Sequence, residues 1–287
     1  MKLMRTLSLV SVGAVLVACG GPPSEGANSA TSSSTPSSPA ATAATGGQPD
    51  DAASGKMTVT YEDATSPQAV AGRDLLQGAH GLETMADIVN GLFKLPYDIP
   101  LVGSQCDEVN AYWDPDAKKV TICYEFTDDA KKEFQAADDD DPDTSAVQTT
   151  IATFFHELGH MAITLYNLPA VGREEDAADQ LAAYMLLQPG DDGKPDPELV
   201  ASELDFAEYW QLDAKDEPGA DDFADVHSLD QTRMYNVLCW IYGSDPDGNA
   251  DFIGDDKLPE ARAQTCPDEF TKLTNAWSTL LAPHLKS

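Results

Sequence analysis

Cationic side chains are scarce in this sequence. It has 17 lysines and arginines against 49 aspartates and glutamates, which gives a formal net charge of −32 at pH 7. Nucleic acids and anionic lipid surfaces attract proteins through clustered lysine and arginine. The charge balance therefore excludes a nucleic-acid partner and electrostatic adsorption to a membrane, and it leaves cationic partners open.

Long apolar runs are also lacking, apart from one short stretch near the N-terminus. Residues 1–5 carry two positive charges, and residues 6–18 are apolar but too few to span a bilayer. This combination predicts a signal peptide over residues 1–18. The stretch ends in Leu-Val-Ala-Cys, which resembles a bacterial lipobox and implies that Cys19 becomes the lipidated first residue of an exported chain. A plain signal peptide with an incidental cysteine is the alternative.

Large apolar side chains are nearly absent from the next segment. Residues 19–55 are mostly Ser, Thr, Ala, Pro and Gly, which cannot bury enough surface to form a core. They predict a lipid-anchored, flexible tether. Residues 56–287 are then one domain, facing the extracytoplasmic side of the cell envelope. We expect this domain to meet the membrane only through the anchor on Cys19.

Cysteine is rare as well, with five residues in the whole chain. Four remain once Cys19 is set aside, and an even number in an exported domain predicts two disulfides. Three pairings are possible. We favour Cys106–Cys123 together with Cys239–Cys266, because each of these pairs brackets a turn-rich stretch.

Histidine is the last scarce residue, also with five, and two of the five form a His-Glu-x-x-His motif at residues 156–160. On a helix, His156 and His160 project from one face about one turn apart and can bind one zinc ion. Glu157 can reach water at that ion and take its proton. A chance match with two buried structural histidines is the alternative.

The residues around the motif predict a well-defined helix. Apolar residues recur at alternating spacings of three and four from Val147 to Leu165, which is typical of a buried helix face. Ser145 and the glutamine three residues later predict a capping box, and Pro142 predicts that the helix does not start earlier. Asn167 predicts its end.

A third metal ligand is expected in the next helical pattern, residues 173–187. Glu175 and Asp179 are four residues apart there and share one face. We assign Glu175 as the third zinc ligand and Asp179 as the acceptor for a ring N–H of a ligand histidine. Two imidazoles, one carboxylate and an open fourth position make a catalytic rather than a structural site.

These residues resemble the gluzincins, whose signature is His-Glu-x-x-His followed by Glu-x-x-x-Asp on the next helix. More narrowly, the chain resembles a bacterial family of domains of unknown function described as metallopeptidases, over roughly residues 60–280. The segments that carry this narrower resemblance are 110–115, 123–125, 172–180, 227–230 and 242–246.

The resemblance implies further site residues. Gluzincins often use a histidine or tyrosine from a later segment to stabilise the oxyanion of the tetrahedral intermediate. His227 and Tyr235 are the candidates here, with Arg233 behind them. Zincins also hold an extended peptide on a sheet edge. The predicted hairpin of residues 110–126 is the candidate for that edge, and a purely structural sheet is the alternative.

We therefore expect an α+β, zincin-like fold: a small, mostly antiparallel sheet followed by a helix-rich half that carries the motif helix. The predicted strands are residues 57–61, residues 99–102 and the two strands of the hairpin. Further helices are predicted near residues 68–93, with a break, and over residues 197–212, 228–242 and 258–281.

The expected function is zinc-dependent hydrolysis of peptide bonds in a peptide or protein substrate. Two alternatives remain. The chain could be a non-catalytic envelope lipoprotein that binds a partner, or a zinc amidase acting on cell-wall peptides.

Overall fold

The computed structural model describes residues 55–190, 193–214, 217–254 and 257–286. The predicted signal peptide, the lipidation of Cys19 and all of the predicted tether except Gly55 lie outside these residues. Gly55 itself donates a backbone hydrogen bond to the carbonyl of Leu95 at 3.1 Å. It therefore belongs to the folded domain.

The described residues contain four strands and ten α-helices, which confirms the α+β class. The strands are β1 (Met57–Tyr61), β2 (Ile99–Ser104), β3 (Ala111–Asp114) and β4 (Lys119–Cys123). The helices are α1 (Pro67–Gly78), α2 (Gly81–Leu92), α3 (Tyr124–Ala136), α4 (Pro142–Tyr166), α5 (Glu174–Leu186), α6 (Pro197–Asp213), α7 (Ala220–Ala224), α8 (Asp230–Ser244), α9 (Glu260–Ala263) and α10 (Cys266–Leu281).

The sheet is mixed, so the expectation of a mostly antiparallel sheet is wrong. Its strand order is β1-β2-β4-β3. The β1–β2 and β2–β4 pairs are parallel, and the β3–β4 hairpin is antiparallel. Helices α1 and α2 form a crossover between β1 and β2, and such a connection returns the chain in the same direction. The hairpin leaves β3 at the edge of the sheet.

The second hairpin strand is shorter than predicted. It ends at Cys123, and α3, which the sequence analysis missed, begins at Tyr124. Glu125 lies in the first turn of α3, and its carboxylate accepts the backbone N–H groups of Cys106 and Asp107 at 3.1 and 3.0 Å. These contacts and the Cys106–Cys123 disulfide tie the start of α3 to the loop after β2.

Helix α4 starts at Pro142, three residues before Ser145, which the sequence predicts as its N-terminal cap. Asp141 caps it by accepting the N–H of Thr144 at 3.3 Å, and Pro142 is the first helical residue. Proline suits that position because the missing N–H would have no partner within the helix. The predicted end is confirmed, since Asn167 ends the helix in the left-handed conformation with φ of 51°.

Both predicted disulfides, Cys106–Cys123 and Cys239–Cys266, are present. The second links α8 to the start of α10. Over the part of the chain that the structure describes, no helix is both long enough and apolar enough to cross a bilayer.

Candidate active site

A close approach of α4 and α5 brings the candidate ligands together. Gly159, between the two motif histidines, faces Ala178 of α5. A Cβ atom built on Gly159 would lie 2.7 Å from the Ala178 Cα atom, so a larger residue would push the helices apart. The absence of a side chain at this point places the first turn of α5 against His160.

Four side-chain atoms converge at this crossing. His156 Nε2 and His160 Nε2 are 3.2 Å apart, and they lie 3.2 and 3.1 Å from Glu175 Oε2. His227 Nε2 approaches the same Glu175 oxygen at 3.1 Å. The three ligands predicted from the sequence are thus brought together, and His227 joins them.

The cluster fits a zinc ion. Nitrogen and oxygen ligands of a tetrahedral zinc ion lie about 2 Å from the metal and therefore about 3.3 Å from one another. The separations of 3.1 to 3.2 Å among His156 Nε2, His160 Nε2 and Glu175 Oε2, and from His227 Nε2 to the same Glu175 oxygen, are close to that spacing. The donor set, imidazole nitrogen with carboxylate oxygen, is also one that zinc prefers.

Carboxylates fix the orientation of both motif histidines. His156 Nδ1 lies 2.7 Å from Asp179 Oδ1, and His160 Nδ1 lies 2.9 Å from Glu174 Oε1. Carboxylates at these positions favour a proton on each Nδ1 atom, which leaves each Nε2 lone pair facing the centre of the cluster. Lone pairs that face one another need a shared cation, which further supports a metal site.

The electrostatics of the cluster also favour an added positive charge. Burial lowers the pKa of His160, but hydrogen bonds to Glu175 and Glu174 outweigh it and raise the pKa to about 9. Burial alone would raise the pKa of Glu175, yet hydrogen bonds with His156, His160 and His227 hold it far below its usual range. The site therefore stabilises a cation, whether a proton or a metal ion.

Asp179 is itself held by a buried arginine. Arg233 of α8 donates to both carboxylate oxygens of Asp179, at 2.8 and 2.6 Å. Burial would raise the pKa of Asp179, but the Arg233 charge and the contact with His156 hold it well below its usual range. Asp179 therefore stays ionised and keeps its hydrogen bond to His156.

Glu157 lies beside the cluster in a buried position. Its Oε2 atom accepts the backbone N–H of Trp113, in the edge strand β3, at 2.8 Å. Burial raises the pKa of Glu157, against the opposing effect of the neighbouring histidines. A raised carboxylate pKa suits a general base that must accept and then release a proton near neutral pH.

His227 comes from the loop before α8 and is oriented by two residues that the sequence analysis did not single out. Asp225 Oδ1 lies 2.9 Å from His227 Nδ1. The Arg173 guanidinium donates to the carbonyls of Asp225 and His227 at 3.0 and 2.5 Å. The contact between Asp225 and His227 could have been inferred from their Asp-x-His spacing. The contact of Arg173 with the His227 carbonyl joins residues 54 positions apart, and no local pattern predicts it.

One predicted site residue, Tyr235, lies outside the cleft. Tyr235 is partly buried against the main hydrophobic core and is not among the described residues that line the cleft, because it lies on a different face of α8 from Arg233. It is therefore no oxyanion candidate. Glu174, which was not singled out from the sequence, contacts His160.

A cleft of about 960 Å³ opens over the cluster. Strand β3 forms one wall, α6 another, and the segment from Pro218 to Arg233 a third. The cleft can admit an extended chain alongside edge strand β3, and Glu157 and the histidines are among the residues that line it.

Behind the site, α6 carries a buried acid, Glu203. It is fully buried, and neither carboxylate oxygen has a hydrogen-bond partner among the described residues. Burial, and then the charge of Asp179, raise the pKa of Glu203 well above its usual value. Folding therefore favours the neutral form of Glu203 relative to the unfolded chain.

This difference predicts a pH-dependent stability. Because the folded pKa is raised, the stability is fully present below the unfolded pKa and falls as pH rises towards the folded pKa. Between the unfolded and folded pKa values of Glu203, the free energy of unfolding of Glu203→Met should rise relative to that of wild type by up to about 1.4 kcal/mol for each unit of pH. Urea unfolding at pH 5, 6, 7 and 8 measures the gap, with Glu198→Met, an exposed site on the same helix, as the control. A gap that is constant with pH contradicts the prediction.

Comparison with known proteins gives one match. A family model described as "Putative metallopeptidase" matches residues 61–281, which is most of the chain and all of the residues in the cluster. No curated protein matches the chain, and no solved structure does.

Proposed function

The chain belongs to this metallopeptidase family, and on that premise we propose that it is a zinc-dependent peptidase of the cell envelope. The observation that carries the proposal is the convergence of His156, His160 and Glu175, with Glu157 beside them, in the lining of an open cleft. Three protein ligands and a neighbouring carboxylate are the arrangement that zinc hydrolysis requires.

Each residue has a defined part in the reaction. His156, His160 and Glu175 would hold a zinc ion, which supplies polarisation of the scissile carbonyl and a lowered water pKa. Glu157 takes the proton of the attacking water and later delivers it to the leaving amine. Asp179 and Glu174 keep the two imidazoles in the tautomer that binds metal.

Strand β3 would hold the substrate backbone. It is the edge strand on this side of the sheet and lines the cleft from Ala111 to Trp113. Backbone pairing with an edge strand binds a peptide irrespective of its side chains. The same strand positions Glu157 through the Trp113 N–H, so substrate backbone and general base share one rigid support.

His227 would stabilise the oxyanion that develops on the scissile carbonyl. Its contact with Glu175 is the main cause of its raised pKa, and Asp225 adds to it. The side chain is about half exposed, which lets a substrate approach it. The alternative is that His227 serves as a fourth metal ligand and must leave before substrate binds.

Replacing His227 by alanine separates these roles. As an oxyanion donor, its loss should lower kcat about a hundredfold with little change in KM or in zinc affinity. Steady-state kinetics on a fluorogenic peptide and competition with a zinc chelator measure the three quantities. A marked fall in zinc affinity with kcat retained would contradict the oxyanion role and indicate a ligand.

Location follows from the N-terminal residues. We propose export and anchoring through lipidated Cys19, with residues 20–54 holding the domain off the membrane. The support is the apolar stretch, the small residues before Cys19 and the composition of the tether.

The proposed function is tested with the purified full chain loaded with zinc. It is incubated separately with an unfolded protein and with cell-wall peptide fragments, and new amino termini are identified by mass spectrometry. Cleavage of the protein that a chelator abolishes supports the peptidase. Cleavage of wall fragments alone supports the amidase, and no cleavage by folded, zinc-loaded protein supports a non-catalytic lipoprotein.

A further inference from the structure

One end of the cleft has aromatic walls. Tyr209 and Trp210 of α6 line it together with Phe126 of α3 and Phe206. The Phe126 and Tyr209 ring centroids are 5.4 Å apart, those of Tyr209 and Trp210 are 5.6 Å apart, and those of Phe206 and Trp210 are 5.5 Å apart. We call these four rings and the space that they border the aromatic recess.

The aromatic recess is continuous with the candidate metal cluster. The Arg233 guanidinium carbon lies 3.7 Å from the Trp210 ring centroid, and the same guanidinium binds Asp179. Asp179 in turn contacts His156 at 2.7 Å. A substrate side chain in the recess would therefore belong to a residue close to the bond being cleaved.

Carboxylates lie at the other end of the aromatic recess. Asp129 accepts a hydrogen bond from the Tyr209 hydroxyl through Oδ2 at 3.3 Å, which leaves Oδ1 without a hydrogen bond among the described residues. Asp213, on the last turn of α6, also lines the cleft. Lys132, the nearby cation on α3, is paired with Asp128, and its charge affects the pKa of Asp129 less than the charge of Asp213 does.

The rest of the cleft is acidic as well. Among its described lining residues, Arg233 is the one lysine or arginine, and that arginine is already paired with Asp179. The acids on the wall opposite β3 include Asp221, Asp222, Asp225 and Asp230. A cationic substrate is therefore attracted to the cleft, and an acidic one is repelled.

Unpaired polar atoms also point to a ligand here. Thr153 lies three residues before His156 on α4, lines the cleft and is 8% exposed. Its Oγ1 atom has no hydrogen-bond partner among the described residues, and the same holds for the buried Nε1 atom of Trp210. Buried polar groups normally have a partner.

We propose that the aromatic recess binds a lysine or arginine side chain of the substrate. The aliphatic stem would pack on the rings of Tyr209 and Trp210, and the cationic end would meet Asp129 and Asp213. The inference rests on the proposed peptidase function and deepens it, because it names the substrate class: peptides with a basic residue next to the cleaved bond.

Direct binding tests the aromatic recess without relying on hydrolysis. The full chain carrying Glu157→Gln is titrated into two fluorescein-labelled alanine-based decapeptides, one with a central lysine and one with norleucine instead. Norleucine keeps the stem and removes the charge. The lysine peptide should bind about tenfold more tightly by fluorescence anisotropy, since a hydrogen-bonded charge pair contributes roughly a factor of ten or more.

Two matched double variants test whether the lysine side chain binds at Asp129 and Asp213. Asp129→Asn with Asp213→Asn, in the same background, should abolish the preference for lysine. Asp87→Asn with Glu260→Gln removes the same charge from exposed sites outside the cleft and should keep it. Equal affinity for both peptides, or a preference that survives in the first double variant, overturns the proposal.

Hydrolysis by the otherwise wild-type chain separates the two proposals. If zinc-loaded protein cleaves both peptides with equal kcat/KM, the peptidase function stands and the basic subsite is wrong. If neither peptide is cleaved but binding still prefers lysine and depends on Asp129 and Asp213, the subsite stands and the peptidase function fails.

Discussion

Replacing Glu157 by glutamine should leave the protein folded and able to bind zinc, while kcat falls about a thousandfold. The general base contributes roughly 10²- to 10⁴-fold to such reactions. Glutamine has the same shape, and its carbonyl oxygen can still accept the Trp113 N–H that Glu157 accepts at 2.8 Å. What it loses is the ability to take a proton from water.

The control for this variant is Glu125→Gln. Glu125 is also a buried glutamate that accepts backbone N–H groups, but it lies in the first turn of α3, outside the residues that line the cleft. Activity, zinc content and the urea midpoint are measured for both variants. Equal loss of activity in the two, or substantial activity in Glu157→Gln, would show that Glu157 is not the base.

The sequence was most informative where the signal is local. The spacing of apolar residues defined α4, and the two histidines one turn apart had to share a face of that helix. Asn167 ended it as expected. The start was misjudged because Pro142 can either block a helix or begin one. The helix starts at Pro142 because the side chain of Asp141, one residue earlier, caps it by accepting the N–H of Thr144.

Features that depend on contacts between distant elements could not be predicted from the sequence. The parallel pairing of β1 with β2 depends on how α1 and α2 pack, which no local pattern encodes. Of the two neighbouring acids Glu174 and Glu175, the sequence could not show that each contacts His160 through a different ring nitrogen. The close approach of α4 and α5 at Gly159 determines that.

Dependence on packing between distant elements also explains why Arg233 of α8 reaches the site and Tyr235 does not. Its helical period was clear, but the rotation of the helix about its axis was not. Arg233 faces Asp179 and the cleft, while Tyr235, two residues later, packs against the core. Residues two apart on a helix point in different directions, so at most one of them could reach the site.

Replacing His160 by alanine should remove zinc binding. In wild type we expect one zinc ion per chain, held by His156, His160 and Glu175. The variant loses one of three ligands, and the effect on affinity should exceed the hundredfold that changes in outer-shell partners cause. Elemental analysis of the purified full chain and competition with a chelator measure it. His284→Ala, a histidine that stacks on Tyr166 away from the cleft, is the control.

Thermal unfolding provides a second measure of the same site. A ligand that binds only the folded state stabilises it by about 2.7 kcal/mol at one hundred times its dissociation constant. Added zinc should therefore raise the Tm of wild type, of His284→Ala and of Glu157→Gln, but not of His160→Ala. That pattern would separate metal binding, which needs His160, from proton transfer, which needs Glu157. A folded wild type that neither contains zinc nor responds to it would instead favour a lipoprotein that keeps the scaffold to bind a partner.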